Sequence, residues 1–496
     1  MDAFVWMIAL PLAATPAVYL AGRATKPRGV IARRAALPVL LTTWIAFGLA
    51  VANFRADGAA SYALGTITLR CDGLSLLLAA LALALGTLVL IYSGPYLRGE
   101  PGQEKYYASL LALLGVMIGL GCAGDLFNLW VWFEAMAVAS FLLVMFYHEQ
   151  GDALEAGIKY LAQSAVGSAF VLFGVALVLA QTGTLDLAAI QTAAVPSETL
   201  LAAGALFVIG FGVKVALVPL HTWLPDAHSQ APSGISAMLS GVVIEAGLVA
   251  LLRVLAALAG ITTAWGELLM IFGALNMAAG NLLALRQTQV KRLLAYSSLS
   301  HIGYMLVGLG IALHVHDATG AEGGLFHLLN HGLMKGLAFL AVGALMYALH
   351  RTSTAGDHRP LTIADLSGAA GRYPLVALAL SVAVLGLGGL PPLAGFMSKW
   401  QIFVAGFQTR DGWIEALVIF AALNSVLSLA YYAPLVNAVY RQKPSEGVQA
   451  GRALPLAMTA PLVVLGLAVV VVGVWPGTLR WLAEPAGQVL LAAFGG

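Results

Sequence analysis

FVIGFGVKVALVPLHTWLPDAH, residues Phe207–His228, is the stretch from which the architecture of this chain can be worked out. A hydrophobic run carries one lysine, Lys214, and meets Pro219; His221, Pro225, Asp226 and His228 follow. A lysine inside an apolar helix is costly and is kept where it has a task. Pro219 removes one helical hydrogen bond and clashes with the carbonyl of Val215, so the helix must break there. Non-helical backbone at membrane depth is tolerated only where protein or a water-filled cavity covers it. The stretch therefore predicts a broken membrane helix that handles ions.

The rest of the chain fits a membrane setting. Of 496 residues, 60% are hydrophobic and 10% charged, and the mean hydropathy is +0.90. Soluble domains carry about 25% charged residues. Apolar runs start near residues 3, 35, 74, 106, 126, 159, 200, 233, 265, 292, 324, 374, 413 and 454. Each can cross a hydrocarbon layer of about 30 Å. The fold class expected is an all-α polytopic membrane protein of about 14 transmembrane helices. Met1–Leu20 lacks a charged leader and reads as a first span, not a cleaved signal. The loop holding Arg23, Lys26, Arg28, Arg33 and Arg34 marks the cytoplasmic side. Counting alternate loops puts 17 Lys/Arg inside and 5 outside, with Lys214, Lys335 and Lys399 within spans and both termini outside. A bacterial inner (plasma) membrane location is expected.

Several function classes fall away. A net charge of +2 without a basic, aromatic-interleaved patch predicts no nucleic-acid partner. No phosphate-binding glycine loop is present. Cys71 and Cys122 have neither metal nor redox spacing and read as packing residues. No cofactor, metal, redox or hydrolytic site is expected in this chain, so any enzymatic activity would belong to a complex around it.

Self-similarity organises the middle of the sequence. An offset of 167 residues sets Gly157-Ile-Lys-Tyr-Leu-Ala-Gln-Ser on Gly324-Leu-Phe-His-Leu-Leu-Asn-His and Glu134 on His301; a six-residue insertion then sets Val218-Pro219-Leu220 on Pro391-Pro392-Leu393. A displacement of five spans, an odd number, implies two inverted five-helix repeats with broken helices 7 and 12. The divisions expected are peripheral helices in 1–105, repeats in 106–260 and 261–440, and a last span with the C-terminus in 441–496.

The ionisable residues inside spans are Glu134, Lys214, Glu245, His301, His327, His331, Lys335 and Lys399. His327, His331 and Lys335 are spaced i, i+4, i+8, which puts them on one helix face, as do Ser297, His301 and Met305. Such a series can pass protons. Burial opposes each charged form, and a Glu134–Lys214 pair would hold both ionised until separated. Histidines between lysines relay protons at ordinary pH. His221, Asp226 and His228 flank the first break as access candidates, with a structural role equally open. His314, His316, His350 and His358 read as loop residues, and Asp125 as a span-end residue.

The segments FEAMAVASFLL (133–143), GVKVALVPLHTWLPDAHSQAPS (212–233), KRLLAYSSLSHIGYM (291–305), FHLLNHGLMKGLAFL (326–340) and GLGGLPPLAGFMSKW (386–400) carry a resemblance. Together they resemble the antiporter-like membrane subunits shared by respiratory complex I, Mrp-type cation/proton antiporters and membrane-bound hydrogenases, nearest to Mrp D-like or complex I N-like subunits. The resemblance covers roughly residues 70–440. It implies a 14-helix fold, Glu134 and Lys214 as a proton-translocating ion pair, and Lys335 with the three histidines on a central polar axis. It also implies Lys399 as the terminal exchanging lysine, and other membrane subunits of such an assembly as partners. Glu245 departs from the family, many members of which carry lysine there; pairing with Lys214 or Lys335, or binding a cation, would explain it. Three functions stay open: a proton-translocating subunit of a larger complex, a Na+ or K+/proton antiporter of Mrp type or acting alone, and a non-pumping scaffold.

Overall fold

The structure is a computed structural model that describes residues 2–349, 359–441 and 443–494; His350 and His358 lie outside them. Helices α1 (Ala3–Ala24) and α2 (Arg28–Asp57) precede an antiparallel hairpin of β1 (Ala60–Leu64) and β2 (Ile67–Cys71). Next come α3 (Gly73–Tyr96), α4 (Gln103–Gly121), α5 (Leu126–Val144), α6 (Gly151–Thr182), α7 (Leu187–Ala193), α8 (Glu198–Val215) and α9 (Trp223–Gln230). A π-helical turn, Leu239–Val243, joins α10 (Ser233–Met238) to α11 (Ile244–Ala257). The second half contains α12 (Trp265–Ala284), α13 (Val290–Val315), α14 (Ala318–Leu349), α15 (Pro374–Leu387), α16 (Ala394–Gln408) and α17 (Gly412–Arg441). The short α18 (Glu446–Ala450), then α19 (Leu456–Val474) and α20 (Gly477–Ala493), complete it.

The molecule is a polytopic helical membrane protein. Among the described residues, 12 helices are long and apolar enough to cross a membrane, or 13 if the bent pair Ala364–Gly371 and Pro374–Leu387 is one span. Of the expected runs, the fourth (α4) is not in that set, and the twelfth is divided between α15 and α16. Two elements were not expected. The segment 60–71 is too short to cross and rich in β-branched and aromatic residues; it closes as a hairpin through Gly65, whose φ of +62° a side chain would resist. Helix α20, beyond the last apolar run, packs back on α3 and α14.

Burial sorts the helices. The continuous segment Ser233–Ala257, α13 and α14 are covered along nearly their whole length, whereas α1, α2 and α6 present most of their surface outward. In a bilayer outward apolar surface costs nothing, so those helices face lipid or partners. The expectation that the first three spans are all peripheral fails at α3, which is largely buried among α4, α19 and α20. Its start is fixed by a capping box: Asp72 accepts from the Ser75 amide, and Ser75 Oγ accepts from the Asp72 amide. Close helix approach depends on glycine at α12–α13, where a Cβ on Gly303 would lie 2.5 Å from the Gly273 carbonyl oxygen.

Candidate functional site: a buried polar axis

The first break forms where Pro219 requires it. Helix α8 ends at Val215, Ala216 turns left-handed at φ 60°, and α9 begins at Trp223. The freed backbone groups are not left bare. Asn276 of α12 accepts from the Val218 amide at 2.9 Å and donates to the Ala216 carbonyl at 3.2 Å. Trp223 Nε1 donates to the Val213 carbonyl at 2.7 Å. Lys214 therefore sits in the last turn of α8, where carbonyl dipoles converge and a cation is favoured. Its ammonium donates to Tyr160 Oη at 2.9 Å and Ser164 Oγ at 3.3 Å, and lies 4.5 Å from the Tyr160 ring centre. The Tyr160 ring stacks on Trp223 at 4.2 Å, which fixes this cage.

The expected Glu134–Lys214 contact takes a looser form. Glu134 is half-buried on α5, on a helix that also exposes Val131 and Val138, and the two charges interact across space without a direct ion pair. The hydroxyls of α6 are nearer the ammonium than the carboxylate is. Helix α11 passes beside Lys214 at Gly247, where a Cβ would lie 2.9 Å from Lys214 Cγ.

Glu245, two residues before Gly247, pairs with neither Lys214 nor Lys335. Its Oε1 lies 2.8 Å from His331 Nδ1, both residues fully buried. Glu245 Oε2 and His331 Nε2 have no hydrogen-bond partner among the described residues. From His331 the axis continues through stacked imidazoles. His301 is 5.2 Å from His331 by ring centre, His301 Nδ1 is 2.9 Å from His327 Nε2, and His327 Nδ1 is 2.8 Å from Ser398 Oγ. The i, i+4, i+8 stripe on α14 is present, with His327, His331 and Lys335 all inaccessible. Lys335 donates to the Leu294 carbonyl at 2.7 Å and to Ser297 Oγ, and Ser297 accepts from Tyr432 Oη at 2.7 Å.

The second break lies between α15 and α16, at Pro391 and Pro392. Asn330 of α14 donates to the Ala394 carbonyl at 3.0 Å. Lys399 reaches back: its ammonium donates at 2.8 Å to the carbonyl of Leu387, the last residue of α15, and at 2.8 Å to Ser425 Oγ. It lies 4.4 Å from the Tyr304 ring centre. By sequence Lys214 precedes its break and Lys399 follows its own; in space the Lys399 ammonium returns to the C-terminal end of α15, while Lys214 extends from the last turn of α8 to hydroxyls of α6.

Beside the first break Asp226 pairs with Lys159 at 3.1 Å and with Arg292. A polar cavity of about 250 Å³ lies there, walled by Asp152, Glu155, Lys159, Asp226, Gln289 and Arg292. His221 is half-buried, its ring 6.3 Å from that of Tyr296. His228 is buried and stacked on Phe339 at 4.7 Å, and neither ring nitrogen has a partner among the described residues. Asp125 caps α5 by accepting from the Asn128 amide.

Four participants escaped the sequence reading. Lys291, counted above with the cytoplasmic loops, is buried and donates to the Ala231 carbonyl at 2.7 Å; its Lys-Arg dipeptide looked like an interfacial anchor. Arg253, counted outside, is buried in a bidentate pair with Asp72 at 2.9 and 3.0 Å. Asn276 and Asn330 carried no charge to attract notice. The π turn just before Glu245, a feature often found at functional sites, has no sequence signature.

The broken helices, the lysines beside them and the histidine axis coincide with a known family. The profile described as "NADH:quinone oxidoreductase/Mrp antiporter, TM" matches residues 123–428. This chain belongs to that family of antiporter-like membrane subunits. A second profile, "NADH-Ubiquinone oxidoreductase (complex I), chain 5 N-terminus", matches residues 64–107. Similar proteins include F(420)H(2) dehydrogenase subunit N of Methanosarcina mazei, 34% identical over 480 residues, covering 96% of this chain and 95% of that one. NADH-quinone oxidoreductase subunit N 2 of Roseiflexus castenholzii is 36% identical over 422 residues, covering 82% of each. A chain of an archaeal membrane-bound sulfane sulfur reductase superposes with a TM-score of 0.88 at 29% identity, over 100% of this chain and 99% of that one. A chain of Thermus thermophilus respiratory complex I gives 0.78 at 30%, over 97% and 100%. A chain of the Mrp complex of Dietzia sp. DQ12-45-1b shares the fold, with 0.84 at 23%, over 99% of each.

Proposed function

We propose that this chain is the proton-translocating subunit of a multi-subunit complex in a bacterial inner membrane, driven by redox chemistry or a counter-ion gradient in its partners. One observation carries the reading. Glu245, His331, His301 and His327, with Lys335, lie on the most buried helices as a closely spaced series, and a buried lysine, Lys214 or Lys399, stands beside each helix break. Lys214 with Glu134 forms the gate, and Glu245–His331–His301–His327 with Lys335 the central relay. Lys399 exchanges protons with the far side. The Asp226 cavity is the cytoplasmic access, with His221 and His228 flanking Asp226 in sequence and both termini outside. The inverted-repeat reading of 106–260 and 261–440, flanked by 1–105 and 441–496, is supported by α6 and α14. Both are 32 residues long and related by the same 167-residue offset.

The test is proton uptake by the complex reconstituted in vesicles. Lys214→Ala or Glu134→Gln is expected to abolish pumping while the complex still assembles. Unchanged proton transport overturns the assignment, and loss of assembly alone favours a scaffold. Transport of Na+ or K+ by the purified single chain would favour self-contained cation/proton exchange.

A further inference from the structure

A second site lies away from the polar axis, where the α1–α2 connection, the α3–α4 turn and the start of α19 meet at one end of the bundle. They enclose a cavity of about 700 Å³, within the range of about 300–1,000 Å³ that holds small-molecule ligands. Its walls contain Lys26, Arg28, Arg33 and Arg98. None of these four side chains has a hydrogen bond or ion pair among the described residues. The walls hold two carboxylates against the four cations, and both are engaged, Glu104 by Arg23 at 3.8 Å. Arg33 is half-buried and lies flat over Gly94 of α3, where a Cβ would be 2.0 Å from Nη1. The glycine clears room for a guanidinium in the cavity wall.

We propose that this cavity binds the phosphate headgroup of an anionic phospholipid. Guanidinium forks match phosphate oxygens bidentately, and basic pockets between membrane helices suit such headgroups. The helices leading away from the cavity supply the acyl-chain surface. Leu37, Leu41, Ile45 and Leu49 of α2 are exposed at successive four-residue steps along one face, and Leu456 is exposed beside the cavity residue Ala457. A free phosphate would satisfy the arginines but make no use of that apolar track.

The test uses the intact complex, released from nanodiscs of equimolar phosphatidylglycerol and phosphatidylcholine and examined by native mass spectrometry. Wild type is expected to retain phosphatidylglycerol on this chain in preference to phosphatidylcholine. Arg98→Gln, at an exposed position, should weaken retention about fivefold, and Arg33→Gln with Arg98→Gln about thirtyfold. Arg34→Gln, with the same charge change outside the cavity walls, should retain lipid as wild type does. Equal retention by all the variants overturns the site. Displacement of the lipid by millimolar inorganic phosphate overturns the lipid assignment in favour of a free anion. Cross-links from Lys26 to a neighbouring subunit across the cavity would show a protein partner there and equally overturn it.

Discussion

Asn276 offers the sharpest test of how the first broken helix is held. It is the only side chain among the described residues that bonds both the Val218 amide and the Ala216 carbonyl. Asn276→Leu keeps the branched shape of the side chain and removes both bonds at a buried position. Each backbone group left unsatisfied costs about 1–3 kcal/mol, so the local penalty is about 2–6 kcal/mol. Asn330→Leu at the second break should cost less, because the Ala394 carbonyl it bonds opens α16 and also accepts from Ser398 Oγ. Hydrogen–deuterium exchange of the assembled complex reads this directly. Protection at the Val218 amide should fall at least about thirtyfold in Asn276→Leu, 2 kcal/mol being about that factor in an opening equilibrium. Proton pumping should drop in parallel, because Lys214 lies one turn before the clamp. Wild-type protection at Val218 in a complex containing Asn276→Leu would refute the clamp. Wild-type pumping with lost protection would show that the break needs no fixed geometry.

Two further outcomes follow from buried pairs. Glu245→Ala leaves His331 without its partner, costing about 3–5 kcal/mol if the pair is ionic and about 1–3 kcal/mol if neutral; thermal unfolding of Glu245→Ala, His331→Ala and the double variant gives the coupling, and Glu245→Gln should slow pumping even where stability is preserved. Arg253→Ala leaves the buried Asp72 with only the partly exposed Arg70, at 3.3 Å, as a counter-charge and should destabilise the chain by about 3 kcal/mol. Burial alone would raise the Asp72 carboxyl, but the Arg253 charge and the Ser75 bonds outweigh it and hold it below its ordinary value of 3.8. The stability from Asp72 is then present above that value and is lost as the pH falls through the lower folded value; Asp72→Asn should abolish this acid dependence in pH-scanned unfolding.

What was legible in the sequence depended on cost. A lysine, glutamate or proline in an apolar run is expensive enough to stand out one residue at a time, so Lys214, Pro219, Glu245, Lys335 and Lys399 could be singled out, and four-residue spacing placed His327, His331 and Lys335 on one face. Partners were not legible, because they come from helices far apart in sequence: Glu245 meets His331 across 86 residues, and Asn276 meets Val218 across 58. Neutral amides cost little on paper and were passed over. Lys291 and Arg253 were misplaced for a related reason. Near a span end, a cation reaching the interface and one turned into the bundle have the same sequence pattern.

The two breaks show why the lysines need not match in sequence to match in function. A broken membrane helix has carbonyls without helical partners at the end of its first half, and those carbonyls attract positive charge. At the first break the charge comes from within, as Lys214 lies in the last turn of α8. At the second the chain passes through Pro391 and Pro392 before Lys399 folds back onto Leu387. The Lys399 ammonium is thus stabilised by the break itself, whereas that of Lys214 is held by hydroxyls of α6; each has a serine hydroxyl as a partner and faces an aromatic ring. Geometry of this kind binds a proton without a fixed counter-charge beside it. Under the proposed function, movement of the Glu134 carboxylate nearer or farther would change the balance without breaking a tight salt bridge. The loose Glu134–Lys214 spacing would suit the proposed gate better than a close pair.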